Sequence, residues 1–164
     1  MEFEKYTERT RGFIQSAQTL ATHSNHQQLT PLHLLKVLLN DKEGLAANLI
    51  EAAGGEAAKG LKKVETELAK LPSVQGGGTG QIYLSQETGK LLEQAEQIAK
   101  KAGDSFVTAE RLLLALVLAT GTAAAKALAD AGVTAQSLNT AIENLRKGRP
   151  AISATAEDTY DALK

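Results

Sequence analysis

Three histidines, His23, His26 and His33, are the side chains of this 164-residue chain best suited to holding a metal or moving a proton near neutral pH. No cysteine accompanies them and no carboxylate stands at ligand spacing beside them, so a zinc site would have only part of its donors. The lack of cysteine also removes disulfides and thiolate nucleophiles from the possible chemistry. His23 and His26 fall at the expected end of a first helix and His33 near the start of a second, where solvated or capping histidines belong. Gly55-Glu-Ala-Ala-Lys-Gly60 has the glycine spacing of a phosphate-binding loop. However, Leu61-Lys62 replaces the Lys-Ser/Thr pair that would hold phosphate and magnesium, and no strand precedes it. The run Gly76 to Gly80 could cradle an anion, but its composition is that of a flexible connector. No nucleophile, base and orienting group are set out in recognisable order.

The elements that would position these residues are helices. The chain has 27 Ala and 24 Leu against 6 Val, 6 Ile and 6 Phe plus Tyr, a composition that favours helix over strand. An all-α fold follows. With 18 Lys and Arg balanced by 19 Asp and Glu, the chain lacks the basic excess of a nucleic-acid binder. The longest apolar run, Leu112 to Ala119, is eight residues, too short to span a bilayer, and the charged start MEFEKYTERT is unlike a signal peptide. A cytoplasmic protein is expected.

The chain also repeats itself. Residues 7–54 align without a gap on residues 85–132, with 11 of 48 pairs identical. Each copy predicts four helices, about eight in all. Thr7 and Ser85 stand at the N-caps of the first helices, and Phe13, Ile14, Ala17, Leu20 and Ala21 form an apolar stripe matched by Leu91, Leu92, Ala95, Ile98 and Ala99. Thr30-Pro31 and Thr108-Ala109 open the second helices, and Gly54 and Gly132 end the third. The fourth run from about Glu56 to Leu71 and from Thr134 to about Arg146. The boundaries are repeat one at about 1–71, a linker at 72–82, repeat two at about 83–147, and a tail at 148–164. In that tail Thr155-Ala-Glu-Asp158 predicts a capped helix that the end of the chain interrupts, as in a piece of a longer protein.

The copies differ most in their second helices. Leu32, Lys36 and Asn40 in copy one become Glu110, Leu114 and Leu118 in copy two, so the second copy's helix is apolar all round with a carboxylate near its head. Such a helix is either wholly buried or lines an apolar groove rimmed by Glu110 and Asp104.

The duplicated unit, together with Leu29-Thr-Pro-Leu-His-Leu-Leu35, Gly103-Asp-Ser-Phe106, Ala109-Glu110 and the tail Ala141 to Gly148 and Ala156 to Lys164, resembles the N-terminal domain of the Clp family of ATP-driven unfoldases, in its disaggregase branch. The resemblance covers essentially the whole chain. It implies a pseudo-twofold helical domain, itself not an enzyme and without a cofactor, tethered to a hexameric ring whose ATPase modules use ATP and magnesium. It implies unfolded or aggregated proteins as partners, a DnaK-type chaperone system working with the parent protein, and a monomeric isolated domain with no nucleic-acid or membrane partner. Docking of a folded adaptor protein is the alternative role. Residues matching Thr7, Asp104 and Glu110 are implicated in substrate handling beside an apolar groove. Helical phase adds Leu91, Leu92 and Leu114 as the groove's apolar positions. Thr7 remains open to reading as a plain N-cap, and Asp104 and Glu110 as residues that favour the helix dipole.

Overall fold

The computed structural model describes residues 3–74 and 82–160; the connector's Gln75 to Gly80 lies outside the described residues. The described residues form eight α-helices: α1 Glu8–His23, α2 Pro31–Leu39, α3 Leu45–Ala52, α4 Ala57–Ala69, α5 Gln86–Lys101, α6 Ala109–Leu118, α7 Ala123–Asp130 and α8 Ala135–Arg146. Each helix of the second set starts 78 residues after its counterpart in the first (8 and 86, 31 and 109, 45 and 123, 57 and 135). Side-chain caps explain many of the starts. Thr7, Ser85, Thr108, Thr122 and Thr134 each accept a hydrogen bond from the backbone N–H three residues on, satisfying a donor that the helix itself cannot.

Two short strands, β1 Gln28–Leu29 and β2 Tyr83–Leu84, pair in parallel and join the copies. An isolated parallel bridge between Tyr6 and Val107 is their symmetry mate, because 6 and 107 are the counterparts of 84 and 29. The copies are therefore interlocked, each lending an extended residue to the other. They also meet where α3 and α7 end. Gly54 and Gly132 take φ of 87° and 92°, a region open to glycine. A Cβ on Gly55 would lie 2.8 Å from the Ala131 carbonyl oxygen, and one on Gly60 3.3 Å from the Ala131 Cβ. The two glycines with phosphate-loop spacing thus allow close helix packing.

The second helix of each copy is the inner one. On α2 the residues Leu32 to Leu35, Leu38 and Leu39 are buried, and on α6 every residue from Ala109 to Leu116 is buried. At roughly 1.5–3 kcal/mol for each fully buried large aliphatic side chain, these two helices supply much of the favourable burial. Among the described residues no single helix is long and apolar enough to cross a membrane; α6 and α7 meet at 96°. In the tail Ala156–Thr159 form a 3-10 turn and Thr155 makes no side-chain cap bond; the rest of the predicted helix, 161–164, lies outside the described residues.

The structure corrects two sequence expectations about exposure. Leu91, Leu92 and Leu114, expected to line an open groove, are 2%, 0% and 6% exposed and belong to the core. The reason is that α6 packs against α1, α2, α3, α5, α7 and α8. At the end of α6, Leu118 is 40% exposed. His26 is likewise buried rather than solvated, its Nδ1 2.8 Å from His33 Nε2. His33 does act at the α2 start as expected, its Nδ1 accepting the Thr30 N–H at 3.0 Å.

Candidate functional site: a buried polar hub beside an apolar groove

The structure draws Asp104, Glu110 and Thr7 into a continuous polar hub, all three buried. Arg146, the last residue of α8, is its centre. Its Nη1 and Nη2 donate to the two oxygens of Asp104 at 2.6 and 2.8 Å, and its Nε donates to Glu110 at 2.7 Å. The remaining N–H groups reach Thr108 Oγ1 at 2.9 Å and the Arg149 carbonyl at 3.4 Å, so all five guanidinium donors have acceptors. Asp104, in the α5–α6 turn, also accepts from Arg111 Nε at 3.1 Å and from the Ala151 N–H at 2.9 Å. Burial opposes the charge on Asp104. The Arg146 bonds, the Ala151 N–H and Arg111 outweigh it and hold the carboxyl below its ordinary pKa. Burial likewise works against the Arg146 cation, and Asp104 and Glu110 more than restore it, so its pKa lies above the usual guanidinium range.

The tail, residues 149–160, closes the hub from outside. Glu157 receives the Thr7 hydroxyl at 2.6 Å, the Thr10 hydroxyl at 3.3 Å and the Ala109 N–H at 3.0 Å. Tyr160 donates its phenol O–H to Glu110. Burial raises the pKa of both Glu157 and Tyr160, and the Glu110 charge adds to the effect on each. Three buried carboxyl groups, those of Asp104, Glu110 and Glu157, share the hub with two buried guanidinium groups, those of Arg111 and Arg146. One oxygen of Glu110 and one of Glu157 have no hydrogen-bond partner.

Beside the hub an apolar groove of about 290 Å³ opens between α3 and α8. Leu45, Leu49 and Ala52 form one wall and Ala141 and Leu145 the other, with Glu157 and Tyr160 of the tail at the end. Arg9 also lines the groove, bridging Glu43 at 2.9 Å and Asp158 at 2.8 Å. The groove has apolar walls and a charged rim.

Sequence reasoning named Thr7, Asp104 and Glu110 but missed Arg146, Arg111, Glu157 and Tyr160, and placed the groove on the wrong helices. A signal for Arg146 was present: Leu138, Ile142 and Arg146 occupy one face of α8 at i, i+4, i+8, so an arginine continues a buried stripe. Glu157 and Tyr160 carried no comparable signal, since their partners lie 150 and 50 residues away.

A pseudo-twofold pair of four-helix units, interlocked by exchanged extended residues, is the architecture of the Clp N-terminal repeat domains. The family model described as "Clp repeat (R) N-terminal domain" matches residues 5–125, and the chain belongs to this family. Over all 164 residues it is 59% identical to the chaperone protein ClpB of Rhodopseudomonas palustris and 43% identical to that of Rickettsia felis, in each case spanning 19% of the relative's length. Among solved structures, the Hsp104 N-terminal domain from Candida albicans matches with a TM-score of 0.81 at 26% identity, over 93% of this chain and 99% of that one. The N-terminal domain of the ClpV1 ATPase from Escherichia coli shares the fold at a TM-score of 0.69 and 20% identity, over 84% of this chain and 83% of that one.

Proposed function

We propose that this domain captures unfolded or aggregated polypeptide for a ClpB-type disaggregase and passes it to a hexameric ATPase ring, acting in the cytoplasm alongside a DnaK-type chaperone system. The observation that carries the reading is the open apolar groove between α3 and α8, set directly against the hub that holds Thr7, Asp104 and Glu110. Unfolded chains expose the apolar side chains that native proteins bury, so an apolar groove selects for misfolding without reading sequence. At about 25 cal/mol per Å², covering a few hundred Å² gives several kcal/mol before ordering costs, and hence weak, reversible capture. Repetition around a ring would raise the apparent affinity through effective concentration.

ATP and magnesium belong to the other parts of such a protein. Gly55 and Gly60 are filled on the Cβ side by Ala131, so this segment does not fit a phosphate loop. Within this chain the work is binding, done by Leu45, Ala52 and Leu145 against cargo.

Titrating the isotope-labelled chain with a permanently unfolded protein, reduced and carboxymethylated so that it cannot refold, tests the reading. Methyl shifts should cluster at Leu45, Ala52 and Leu145 and spare the core positions Leu91, Leu92 and Leu114. Silence at the groove, with tight binding of a folded adaptor protein elsewhere, would replace polypeptide capture with adaptor docking.

A further inference from the structure

We infer that residues 149–160 form a releasable strap, and that Thr7, Asp104 and Glu110 influence polypeptide capture by fixing this strap rather than by touching polypeptide. The inference rests on the groove reading above and adds to it the device that shapes the groove's end wall.

Each of the three residues is closed to direct contact with a ligand and bonded into the strap. Thr7 donates to Glu157, Asp104 accepts the Ala151 N–H, and Glu110 accepts the Tyr160 O–H. The strap in turn serves backbone donors that the helices leave unpaired. Its Ala154 carbonyl accepts the Glu8 N–H at 2.8 Å, at the start of α1, and Glu157 accepts the Ala109 N–H at the start of α6. The Ala151 carbonyl receives the N–H groups of Ser105 and Phe106 at 2.8 and 3.2 Å. These bonds draw one segment across the starts of two helices in opposite copies.

The strap is held by these polar anchors more than by packing. Its buried apolar side chains are Ala151, Ala156 and Tyr160, its Ile152 is 71% exposed, and its regular structure is a single 3-10 turn. Two of its anchoring carboxylates each keep one buried oxygen without a partner, an arrangement that opening to water would relieve. A segment with little apolar burial and incompletely paired polar anchors belongs to the low-stability end of a fold. Because Glu157 and Tyr160 also line the groove, release of the strap removes that wall. Thr7, Asp104 and Glu110 are in this sense positioning residues.

Amide hydrogen exchange and binding of the unfolded probe, both measured on the 164-residue chain, test the inference. Tyr160→Phe keeps the ring and removes only the O–H bond; Glu157→Ala removes the carboxylate. Both should speed exchange of the Glu8, Ser105 and Phe106 amides by roughly tenfold or more, leave the interior amides of α2 and α6 unchanged, and weaken probe binding by about fivefold. Thr7→Val should do the same, while Thr7→Ser, which keeps the hydroxyl, should restore both readouts. Open-strap variants that bind the probe as tightly as the parent would overturn the inference. So would Thr7→Val losing binding with strap exchange unchanged, since Thr7 would then act by contact. A parent chain that shows no groove shifts at all defeats the groove reading itself, whereas strap release is decided by exchange alone.

Discussion

The same place in the two copies is built with opposite chemistry. His26 and His33 in copy one are the counterparts, 78 residues earlier, of Asp104 and Arg111 in copy two. The first pair is two imidazoles hydrogen-bonded at 2.8 Å; the second is an ion pair at 3.1 Å. The surroundings follow suit. Leu32 and Leu68 occupy in copy one the positions that Glu110 and Arg146 occupy in copy two. Even the helix starts differ in their needs. Pro31 opens α2 and has no N–H to satisfy, whereas Ala109 opens α6 with an N–H that Glu157 must accept. One site is neutral and self-sufficient; the other is charged and completed by a distant part of the chain. The same scaffold stands twice, and the ionic side chains of copy two make that end depend on the tail.

The largest effect that should separate the halves is the loss of Arg146. Arg146→Met leaves Asp104 and Glu110 buried without their main cation and should cost about 3–5 kcal/mol in urea denaturation. Its counterpart Leu68→Ala trims a half-buried side chain and should cost less than about 2 kcal/mol. Equal losses would show that the ionic half is no more dependent on its centre than the apolar half. Next in size, Leu114→Ala should cost about 2–5 kcal/mol as a core truncation, against less than about 1 kcal/mol for its counterpart Lys36→Ala, which removes a pair with the half-exposed Glu65. A small loss at Leu114 would return that face of α6 to the surface.

Acidification should sharpen the contrast by a smaller amount. Burial, with the neighbouring His26 adding to it, lowers the His33 pKa from 6.5 to about 4. The folded protein thus stays neutral there while the unfolded chain takes up a proton, so stability falls between about pH 6.5 and 4, by up to about 2 kcal/mol after solvent screening. Asp104, whose folded pKa lies below its ordinary value of 3.8, gives up its contribution only at lower pH. Glu157 works in the opposite sense: its raised pKa means the folded state takes up its proton first, which favours the fold as pH falls. His33→Gln should flatten the upper part of the profile and leave the lower part intact. A profile unchanged by that substitution would remove the imidazole pair as its source.

Much of the fold was legible because its signals are local. Thr7, Ser85, Thr108 and Thr134 mark helix starts, and Gly54 and Gly132 mark ends, through bonds or dihedrals that involve only a few neighbouring residues. The candidate site was legible in part. Glu110 and Asp104 stood out as carboxylates where the copies diverge, yet they read as a rim open to water. Nothing within a turn or two of either residue announces Arg146 or Tyr160. The apolar faces were misplaced for a related reason: the stripe Leu91, Leu92, Ala95 and Ala99 has the same periodicity whether solvent or another helix covers it.

The sequence by itself determined the eight helices, their caps and breaks, the duplication, and the set of side chains on each helical face. Those follow from short-range sterics and hydrogen bonding, which residue order specifies directly. The tertiary structure alone decided which apolar face stays open, that α3 and α8 rather than α5 and α6 form the groove, and that the chain's end completes a site begun by Thr7. Burial is a property of what lies against a surface, and the partner here comes from far along the chain, brought near only once the two copies have interlocked.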